Sequence, residues 1–217
     1  MQYLKPMPDF SIELGLIKDG YKIIAGIDEA GRGSLVGPLS VGMTIYSPEI
    51  ISDPPDDLTL LINDSKKLSP ARREAAYKII EQHSLLVSVK FINHKIIDKI
   101  NVNRATELAV KKLIEESSVK PDIIIMDGRT AFDAGIKMLT YIKGDGKSIS
   151  IASASIAAKV RRDQLLERMD DIYPAYNLKK NKGYGTAEHI DAIMKHGSSA
   201  IHRKSYEPVK SLITENN

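Results

Sequence analysis

The sequence predicts an α/β domain built around a mixed β-sheet. Three observations favour this class. Strand-like runs come early in the chain, the aliphatic run Ile123–Met126 is typical of a strand covered on both faces, and the final third carries mostly helical patterns. A chain of 217 residues, of which 42% are hydrophobic and 27% charged, has the length and composition of a globular domain.

The strands of the predicted sheet follow one another along the chain. The β-rich runs Tyr21–Ile27 and Gly37–Tyr46 are separated by a turn that contains glycine, and Leu85–Ile92 alternates in the manner of a strand. Asp122–Met126 and Ile136–Ile142 are predicted as the fourth and fifth strands. Together these runs supply the sheet of the domain.

Helices are predicted from caps and periodicity. Ser69 and Pro70 are suited to an N-cap and a first helical position, and the helix they open is predicted to end near His83. Thr186 is expected to cap another helix. Helices are predicted over 70–83, 103–116, 149–169 and 187–195. The segment Ser52–Asp57, rich in proline and aspartate, is typical of a surface loop.

No linker or internal repeat divides the chain. Residues 1–217 are therefore expected to form one domain, with a core over about 21–170 and a helical C-terminal extension over about 171–217. Cysteine is absent, which excludes disulfides, thiolate metal sites and cysteine nucleophiles. No aliphatic stretch approaches the ~20 residues of a membrane helix, and the N-terminal residues lack the hydrophobic segment of a signal peptide. We expect a cytoplasmic protein without membrane insertion.

Basic residues are concentrated in the second half of the chain. The whole chain carries 31 Lys and Arg against 28 Asp and Glu, for a net charge of +3. Lys143–Lys210 alone holds 13 basic and 8 acidic residues, a local excess of five. The clusters 159–162, 179–182 and 202–204 either bind a polyanion or form a solvated basic face.

Four carboxylates occupy positions that are more typical of a ligand-binding or catalytic site than of a packed core. Asp28 and Glu29 end the apolar run 23–27, and Asp127 ends the run Ile123–Met126. Carboxylates at the ends of buried strands lie at the rim of a sheet, where α/β proteins bind ligands. Each of them also has an ordinary explanation as the end of a strand or part of a turn.

The fourth carboxylate, Asp163, follows Ile156 and Val160 at helical spacing and therefore shares their apolar face. A carboxylate on such a face needs a cation or a hydrogen-bonding partner, because burial of an unpaired charge is costly. Lys159 or Arg162 can supply that partner, which is a purely structural role. The alternative is a metal ion shared with the other three carboxylates.

An all-oxygen ligand set suits Mg²⁺ or Mn²⁺ better than zinc. Two such ions held ~4 Å apart would stabilise the attacking and the leaving oxygen of a phosphoryl displacement. Asp28 and Glu29 are adjacent, and adjacent strand residues point to opposite faces. These two side chains therefore meet at one site only if the strand ends or bends between them.

The segment Gly31-Arg32-Gly33 directly follows the first carboxylate pair. Two glycines around one arginine allow the backbone to approach a sugar or a phosphate closely. A tight turn between two strands is the alternative explanation.

The chain resembles the ribonuclease HII family, the type 2 ribonucleases H, from about Tyr21 to Pro208. The matching motifs occur in the family's order and are Gly26-Ile-Asp-Glu-Ala-Gly-Arg-Gly33 with Gly37-Pro38, Asp64-Ser-Lys-Lys-Leu-Ser69, Met126-Asp-Gly128, Ser155-Ile-Ala-Ala-Lys-Val-Arg-Arg-Asp163, Asn181-Lys-Gly-Tyr-Gly-Thr186 and His202-Arg-Lys-Ser-Tyr206. Six motifs in this order make the resemblance specific.

The resemblance implies a ribonuclease H-like mixed sheet flanked by helices, with a helical C-terminal extension, in a single catalytic domain. It also implies a metal-dependent endoribonuclease that hydrolyses the RNA strand of RNA–DNA hybrids. Single ribonucleotides embedded in duplex DNA would be nicked on their 5′ side, leaving a 3′-hydroxyl and a 5′-phosphate. Two divalent ions, Mg²⁺ or Mn²⁺, would act in the active complex.

The resemblance assigns roles to particular residues. Asp28, Glu29, Asp127 and Asp163 would be the catalytic residues and would hold the metal ions. Gly31, Arg32 and Gly33 would recognise the 2′-hydroxyl, which distinguishes a ribonucleotide from its neighbours. Tyr184 would stack on the sugar at the DNA side of the junction. Lys66 and Lys67 would contact backbone phosphates, which makes binding sensitive to salt.

Departures from the family pattern are small. Arg104 replaces a residue that is often uncharged, and Tyr206 stands where phenylalanine is common, which adds only a hydroxyl. The related ribonuclease HIII family usually has an additional N-terminal domain, so it is the less favoured match. The segment 211–217 has no aromatic pair of the kind that docks on a sliding clamp. We expect a monomer without a clamp tether.

Other functions are less well supported. The segment Gly144-Asp-Gly-Lys-Ser148 lacks the first glycine of a phosphate-binding P-loop, because Tyr141 occupies that position. A non-catalytic nucleic-acid-binding protein would use the basic residues, but it leaves four carboxylates facing an anionic ligand. The five histidines have no metal-ligand spacing and are expected to be surface or packing residues.

Overall fold

The computed structural model describes residues 7–62, 68–129 and 131–214 of the chain. Within these residues one sheet is formed by β1 (Ile24–Ala30), β2 (Leu39–Ile45), β3 (Leu86–Ile92), β4 (Ile123–Asp127) and β5 (Lys137–Tyr141). The strand order is β3-β2-β1-β4-β5. β2 is antiparallel to β1 and β3, whereas β4 is parallel to β1 and β5, so the predicted mixed sheet is confirmed.

Helices cover the sheet. They are α1 (Ser11–Lys18), α2 (Pro48–Ser52), α3 (Asp56–Leu61), α4 (Pro70–His83), α5 (His94–Glu116), α6 (Ile149–Ile172), α7 (Leu178–Asn181), α8 (Ala187–His196) and α9 (Val209–Thr214). The predicted caps are confirmed, since the Ser69 side chain accepts from Arg72 N and the Thr186 side chain accepts from His189 N. Among the described helices, none has both the length and the apolar character of a membrane-spanning segment.

The two faces of the sheet pack against different long helices. Ala25 and Ile27 of β1 belong to a core that includes Ala109 of α5. Ile24, which points to the other face, packs in a core with Ile151 of α6. Side chains alternate along a strand, so each residue of β1 is directed either toward α5 or toward α6.

Helix α6 approaches the sheet closely because two strand positions lack side chains. A β-carbon on Gly26 would lie 2.3 Å from the carbonyl carbon of Ser150, and one on Gly42 would lie 2.2 Å from the carbonyl oxygen of Ala154. Such separations are impossible for real atoms, so these positions require glycine. The close packing brings the first two turns of α6 over β1, where Ser155 reaches Asp28.

The first strand differs from its prediction. It begins at Ile24 rather than at Tyr21, and it continues to Ala30. Asp28 and Glu29 therefore lie within β1 rather than beyond its end, where they pair with Gly42 and Val41 of β2. The apolar run ends at Ile27, which is also the last residue of β1 that pairs with β4. The pairing of β1 with β2 continues to Ala30.

Helix α5 also differs from its prediction. It starts at His94, earlier than the predicted Asn103, and it is interrupted at Asn101, whose φ is 64°. The Asn101 side chain accepts hydrogen bonds from Asn103 N and Arg104 N at 3.0 and 3.2 Å, so it caps the second half of the helix. The predicted helix corresponds to that second half.

The predicted loop at Ser52–Asp57 is wrong at both ends. Ser52 is the last residue of α2, and Asp56 and Asp57 begin α3. Pro55 in an extended conformation precedes α3, and acidic residues in a first turn favour a helix start. Only the residues between the two short helices form a loop.

The C-terminal helices have a small core of their own. Leu178, Ile193 and Val209 pack there against Leu35 and Val36, which follow β1 in the chain. The predicted helical C-terminal region is thus present, and it is attached to the loop between β1 and β2. This attachment determines the geometry of the candidate site.

Candidate active site

Asp28 is directed toward α6, on the same face of β1 as Gly26. It is buried, and the Ser155 side chain of α6 forms a hydrogen bond to it. Burial raises the pKa of Asp28 well above its ordinary value, and the neighbouring charges of Glu29 and Asp127 raise it further. Two of the other predicted carboxylates are therefore close enough to Asp28 to repel its charge.

Glu29 points to the opposite face of β1, as the alternation of a strand requires. It lines a cleft of about 390 Å³ together with Asp127, Asn103 and Thr106. Asp127, at the end of β4, accepts a hydrogen bond of 2.7 Å from Gly144 N, which fixes the orientation of its carboxylate. The ladder with β2 runs through both residues, so Asp28 and Glu29 leave β1 on opposite faces. Asp127 lies near both of them, because its charge acts on Asp28 and it lines the cleft of Glu29, so the end of β4 brings the two carboxylates to one site.

Asp163 lies on α6 at the end of the predicted apolar face, since Ile156 and Val160 are buried in one core. Its Oδ2 is 3.4 Å from Arg73 Nη1 and 3.5 Å from Lys159 Nζ. Of the two cations considered as its partner, Lys159 forms the ion pair, and Arg73 is a second partner that the sequence did not indicate. Asp163 Oδ1 is buried and has no hydrogen-bond partner among the described residues.

The four carboxylates are suitable ligands for a hard divalent cation. Carboxylate oxygens are the ligands that Mg²⁺ and Mn²⁺ prefer, and the bare Asp163 Oδ1 has lone pairs for such an ion. A cation would also relieve the repulsion around Asp28. Within the described parts of the chain, no three acidic or histidine side chains already form a compact metal site.

The side chain of Arg32 crosses the cleft rather than projecting from the loop. Its Nε lies 3.6 Å from Glu29 Oε1, and its two terminal nitrogens donate to Asn103 Oδ1 and Thr106 Oγ1 at 2.6 and 3.1 Å. These contacts join the end of β1 to the second half of α5. The guanidinium thus positions a predicted metal ligand, a role that its sequence motif did not indicate.

The backbone of 31–38, here called the glycine loop, is held through its carbonyl groups. Arg162 donates from Nε to Pro38 O and from Nη2 to Val36 O at 3.1 and 3.2 Å. Arg203 donates from Nε to Gly37 O at 3.2 Å. Both guanidiniums are buried, with 1% and 0% exposure. Their placement in the basic clusters led us to expect surface residues, and that expectation is wrong.

Two N–H groups of the glycine loop are not used by the described parts of the fold. The N–H groups of Arg32 and Gly33 have no hydrogen-bond partner among the described residues. Gly31 must be glycine, because its φ is +87° and a β-carbon there would lie 2.2 Å from Arg162 Nε. The glycine loop therefore presents free donors beside the carboxylates.

Tyr184 projects from the turn before α8, with 40% of its surface exposed. The Arg162 guanidinium lies 5.8 Å from the centre of its ring. The same turn contacts the glycine loop, because Leu35 N donates to Gly183 O at 2.8 Å. Tyr184 and the N–H groups of the glycine loop are thus parts of one connected surface.

Two buried histidines, His189 and His202, form a hydrogen-bond chain that ends at the backbone carbonyl of Tyr184. Ser199 N donates to His202 Nδ1 at 2.9 Å, so the proton of His202 is on Nε2, which lies 3.3 Å from His189 Nε2. His189 Nδ1 in turn donates to Tyr184 O at 2.9 Å. These two of the five histidines are packing residues, and their contact could not be read from spacing because they are 13 residues apart in the chain.

Lys66 and Lys67, the predicted phosphate contacts, lie outside the described residues.

Comparison with known proteins places the chain among close relatives. The family model described as ribonuclease HII matches residues 25–209. The ribonuclease HII of Caldicellulosiruptor saccharolyticus is 45% identical over 197 residues, which cover 91% of this chain and 93% of that protein. The ribonuclease HII of Enterococcus faecalis is 41% identical over 213 residues, covering 98% of this chain and 79% of that protein.

Solved structures share the fold. The ribonuclease H2 of Pyrococcus horikoshii OT3 has a TM-score of 0.76 at 24% identity, covering 89% of this chain and 98% of that one. The Archaeoglobus fulgidus complex of PCNA and RNase HII has a TM-score of 0.70 at 25% identity, covering 85% and 95%. Bst-RNase HIII with Mn²⁺ has a TM-score of 0.69 at 16% identity, covering 89% and 70%. The predicted ribonuclease H-like fold is confirmed.

Proposed function

The chain belongs to the ribonuclease HII family and is a ribonuclease H that acts on RNA–DNA hybrids, and from this premise we propose that it also nicks duplex DNA on the 5′ side of single embedded ribonucleotides. The products are a 3′-hydroxyl and a 5′-phosphate. The whole of 1–217 is proposed to act as one catalytic domain, with a core over about 21–170 and a C-terminal extension over about 171–217. Membership of a ribonuclease family argues against the alternative of a non-catalytic nucleic-acid-binding protein.

The proposal rests on the proximity of acidic side chains and free backbone N–H groups. Asp28 and Glu29 are followed within a few residues by the free N–H groups of Arg32 and Gly33, so acidic groups and backbone donors lie side by side. A 2′-hydroxyl both donates and accepts hydrogen bonds, and only the ribonucleotide carries one. An enzyme built this way recognises the ribose next to the phosphate that it cleaves.

Recognition is proposed to depend on the backbone of Gly31, Arg32 and Gly33. The glycine loop is fixed through its carbonyl groups before substrate arrives, so little entropy is lost on binding. The exposed ring of Tyr184 is proposed to stack on the sugar of the adjoining deoxynucleotide. A rigid aromatic plane covers a sugar at low entropic cost and tolerates any base.

Catalysis is proposed to depend on Asp28, Glu29, Asp127 and Asp163 as ligands of two divalent ions, Mg²⁺ or Mn²⁺. Such ions supply a nucleophilic water and stabilise the leaving 3′-oxygen. Asp127 is held by Gly144 N, and Glu29 is held by the Arg32 guanidinium. These contacts orient the carboxylates before any ion is bound, which is the usual role of such supporting groups.

The nucleic-acid backbone is proposed to bind through exposed basic residues. Lys66 and Lys67 remain the proposed phosphate contacts. Arg161, Arg168 and Lys179 line one open surface depression beside α6 and α7. Contacts of this kind carry no sequence information, and they weaken as salt concentration rises.

A monomer is the proposed active form. The Archaeoglobus structure contains PCNA. For the present chain we propose no tether to a sliding clamp, since 211–217 carries no aromatic residue. Co-elution of the protein with a clamp from size-exclusion chromatography would contradict this. The cytoplasm is the proposed location, in keeping with a chain that lacks cysteine.

The proposed function is tested with a duplex DNA that contains one ribonucleotide, in buffers with Mg²⁺, Mn²⁺ or EDTA. An all-DNA duplex and the D127N variant are the controls. We expect a metal-dependent nick 5′ to the ribonucleotide. Ligation and primer extension of the products would identify the 5′-phosphate and the 3′-hydroxyl.

Two outcomes would contradict the proposal. Cleavage of a long hybrid without cleavage at the single ribonucleotide would limit the enzyme to hybrid substrates. A nick on the 3′ side of the ribonucleotide would place the recognised sugar on the wrong side of the scissile phosphate.

A further inference from the structure

The carbonyl oxygen of Arg32 accepts two hydrogen bonds from the C-terminal segment. The hydroxyl of Tyr206 donates to it at 2.9 Å, and Arg203 Nη1 donates to it at 2.8 Å. The two donors support each other, because the Arg203 guanidinium lies 5.0 Å from the centre of the Tyr206 ring. One peptide group of the glycine loop is therefore fixed from a distant part of the chain.

Fixing this carbonyl also fixes the next N–H group. The peptide between Arg32 and Gly33 is trans, so its C=O and N–H point in opposite directions. With the oxygen turned toward Arg203 and Tyr206, the Gly33 N–H is turned away from them. Gly33 is exposed, and its N–H has no partner in the described chain.

We propose that the Tyr206 hydroxyl is a positioning group that sets the direction of the Gly33 N–H for recognition of the 2′-hydroxyl. This inference rests on the proposed function. Tyr206 itself does not touch the substrate, because its hydroxyl is directed at Arg32 O. The sequence suggested that this tyrosine merely adds a hydroxyl to a phenylalanine position, whereas the structure gives that hydroxyl a partner in the glycine loop.

The expected effect of removing the hydroxyl is moderate and selective. Arg203 remains bonded to the Arg32 carbonyl, so Y206F leaves no unsatisfied acceptor. Loss of one ordinary hydrogen bond is expected to lower the preference for a ribonucleotide about three- to tenfold. Binding to all-DNA duplex does not use the Gly33 N–H in this way, so it is expected to stay the same.

The matched control is Y176F. The Tyr176 hydroxyl donates to Gly197 O at 2.8 Å, so this variant also loses one tyrosine hydrogen bond to a backbone carbonyl in the C-terminal region. Its partner lies outside the glycine loop. The two variants are expected to lose similar thermal stability, and only Y206F is expected to lose discrimination.

The experiment measures the dissociation constants of both duplexes in EDTA, and kcat/KM with Mg²⁺, for wild type and both variants. A fall in the ratio of affinities for Y206F but not for Y176F supports the proposal. An unchanged ratio for Y206F, or an equal fall for Y176F, overturns it. A wild-type protein that does not nick at the ribonucleotide with Mg²⁺ overturns the proposed function itself, whereas equal affinities and equal kcat/KM ratios for wild type and Y206F overturn only the positioning role.

Discussion

Gly31 and Arg162 are packed so closely that no side chain fits between them. A β-carbon on Gly31 would lie 2.2 Å from Arg162 Nε. Arg162 cannot move aside freely, because its guanidinium also donates to Ser34 Oγ and Lys182 O at 2.7 and 3.0 Å. The contact links the glycine loop to α6 and to the turn that carries Tyr184.

We therefore expect G31A to damage recognition strongly. The left-handed conformation of Gly31 costs an alanine about 1–2 kcal/mol, apart from the clash with Arg162. Cleavage at a single ribonucleotide should fall at least tenfold. G15A is the control, because Gly15 is exposed on α1 with open space around it, and alanine should stabilise that helix. Equal kcat/KM for G31A and wild type would contradict the prediction.

D127N is expected to abolish cleavage while raising stability without metal. The asparagine Oδ1 still accepts from Gly144 N, so the local geometry is kept. Removal of one negative charge lowers the repulsion that helps to raise the pKa of Asp28. The melting temperature in EDTA should rise slightly, and activity should fall by more than the roughly 10–100-fold cost of losing a supporting residue.

Melting temperatures measured with added metal complete the test of D127N. Mg²⁺ or Mn²⁺ should raise the melting temperature of the wild type, because a ligand that binds only the folded state stabilises it. The increase should be smaller for D127N. An equal increase in both proteins would show that the ions bind elsewhere.

D163N is expected to fold and to lose turnover. Asp163 Oδ1 is buried without a hydrogen-bond partner in the described chain, which favours a role as a cation ligand over a purely packing role. K159M is the comparison, because it removes one ion pair of Asp163 and leaves the carboxylate in place. That partly exposed pair is worth about 1 kcal/mol or less. Similar losses of activity in both variants would favour the structural role.

Y184A should weaken cleavage at an RNA–DNA junction more than binding to plain duplex. Stacking of an aromatic ring on a nucleotide is worth about 1–3 kcal/mol when it is removed by alanine. Because the ring is exposed, the fold should survive. Equal losses on the two substrates, measured side by side by kcat/KM and by affinity, would count against the stacking role.

The histidine pair should make the C-terminal region sensitive to acid. Burial lowers the pKa of His202 from 6.5 to about 4, and His189 and His94 contribute in the same direction. The unfolded chain takes up this proton near pH 6.5 and the folded chain only near pH 4, so stability should decrease as the pH falls through that window.

The H202Q variant tests this dependence. Its melting temperature should be lower at neutral pH, because a buried hydrogen-bond chain is interrupted. It should also vary less than that of the wild type between pH 6.5 and 4. Parallel pH profiles for the two proteins would rule out His202 as the source.

Much of the fold could be predicted because it depends on local patterns. The strand Ile123–Asp127 is a continuous aliphatic run, and Ser69 and Thr186 open their helices with the residue types that caps require. The break in α5 was missed, because an asparagine with positive φ leaves the periodicity of its neighbours intact.

The site was predicted less completely, because the type of a residue does not show whether its side chain is buried. Arg162 and Arg203 occur in basic clusters and look like surface residues, yet their side chains bind backbone carbonyls in the interior. The Tyr206 hydroxyl and the histidine pair depend on contacts between distant parts of the chain, which no local pattern contains.

The two buried arginines have an electrostatic consequence. Neither forms an ion pair with a carboxylate in the described residues, and most of their hydrogen bonds go to backbone carbonyls. Burial lowers the pKa of Arg162 to about 10, so its charge persists at neutral pH. The glycine loop thus lies over two buried guanidiniums, which Asp163 and Asp98 influence through space without forming ion pairs with them. These charges attract the phosphate backbone at a distance where no direct contact is made, so the interior of the protein contributes to capture of its polyanionic substrate.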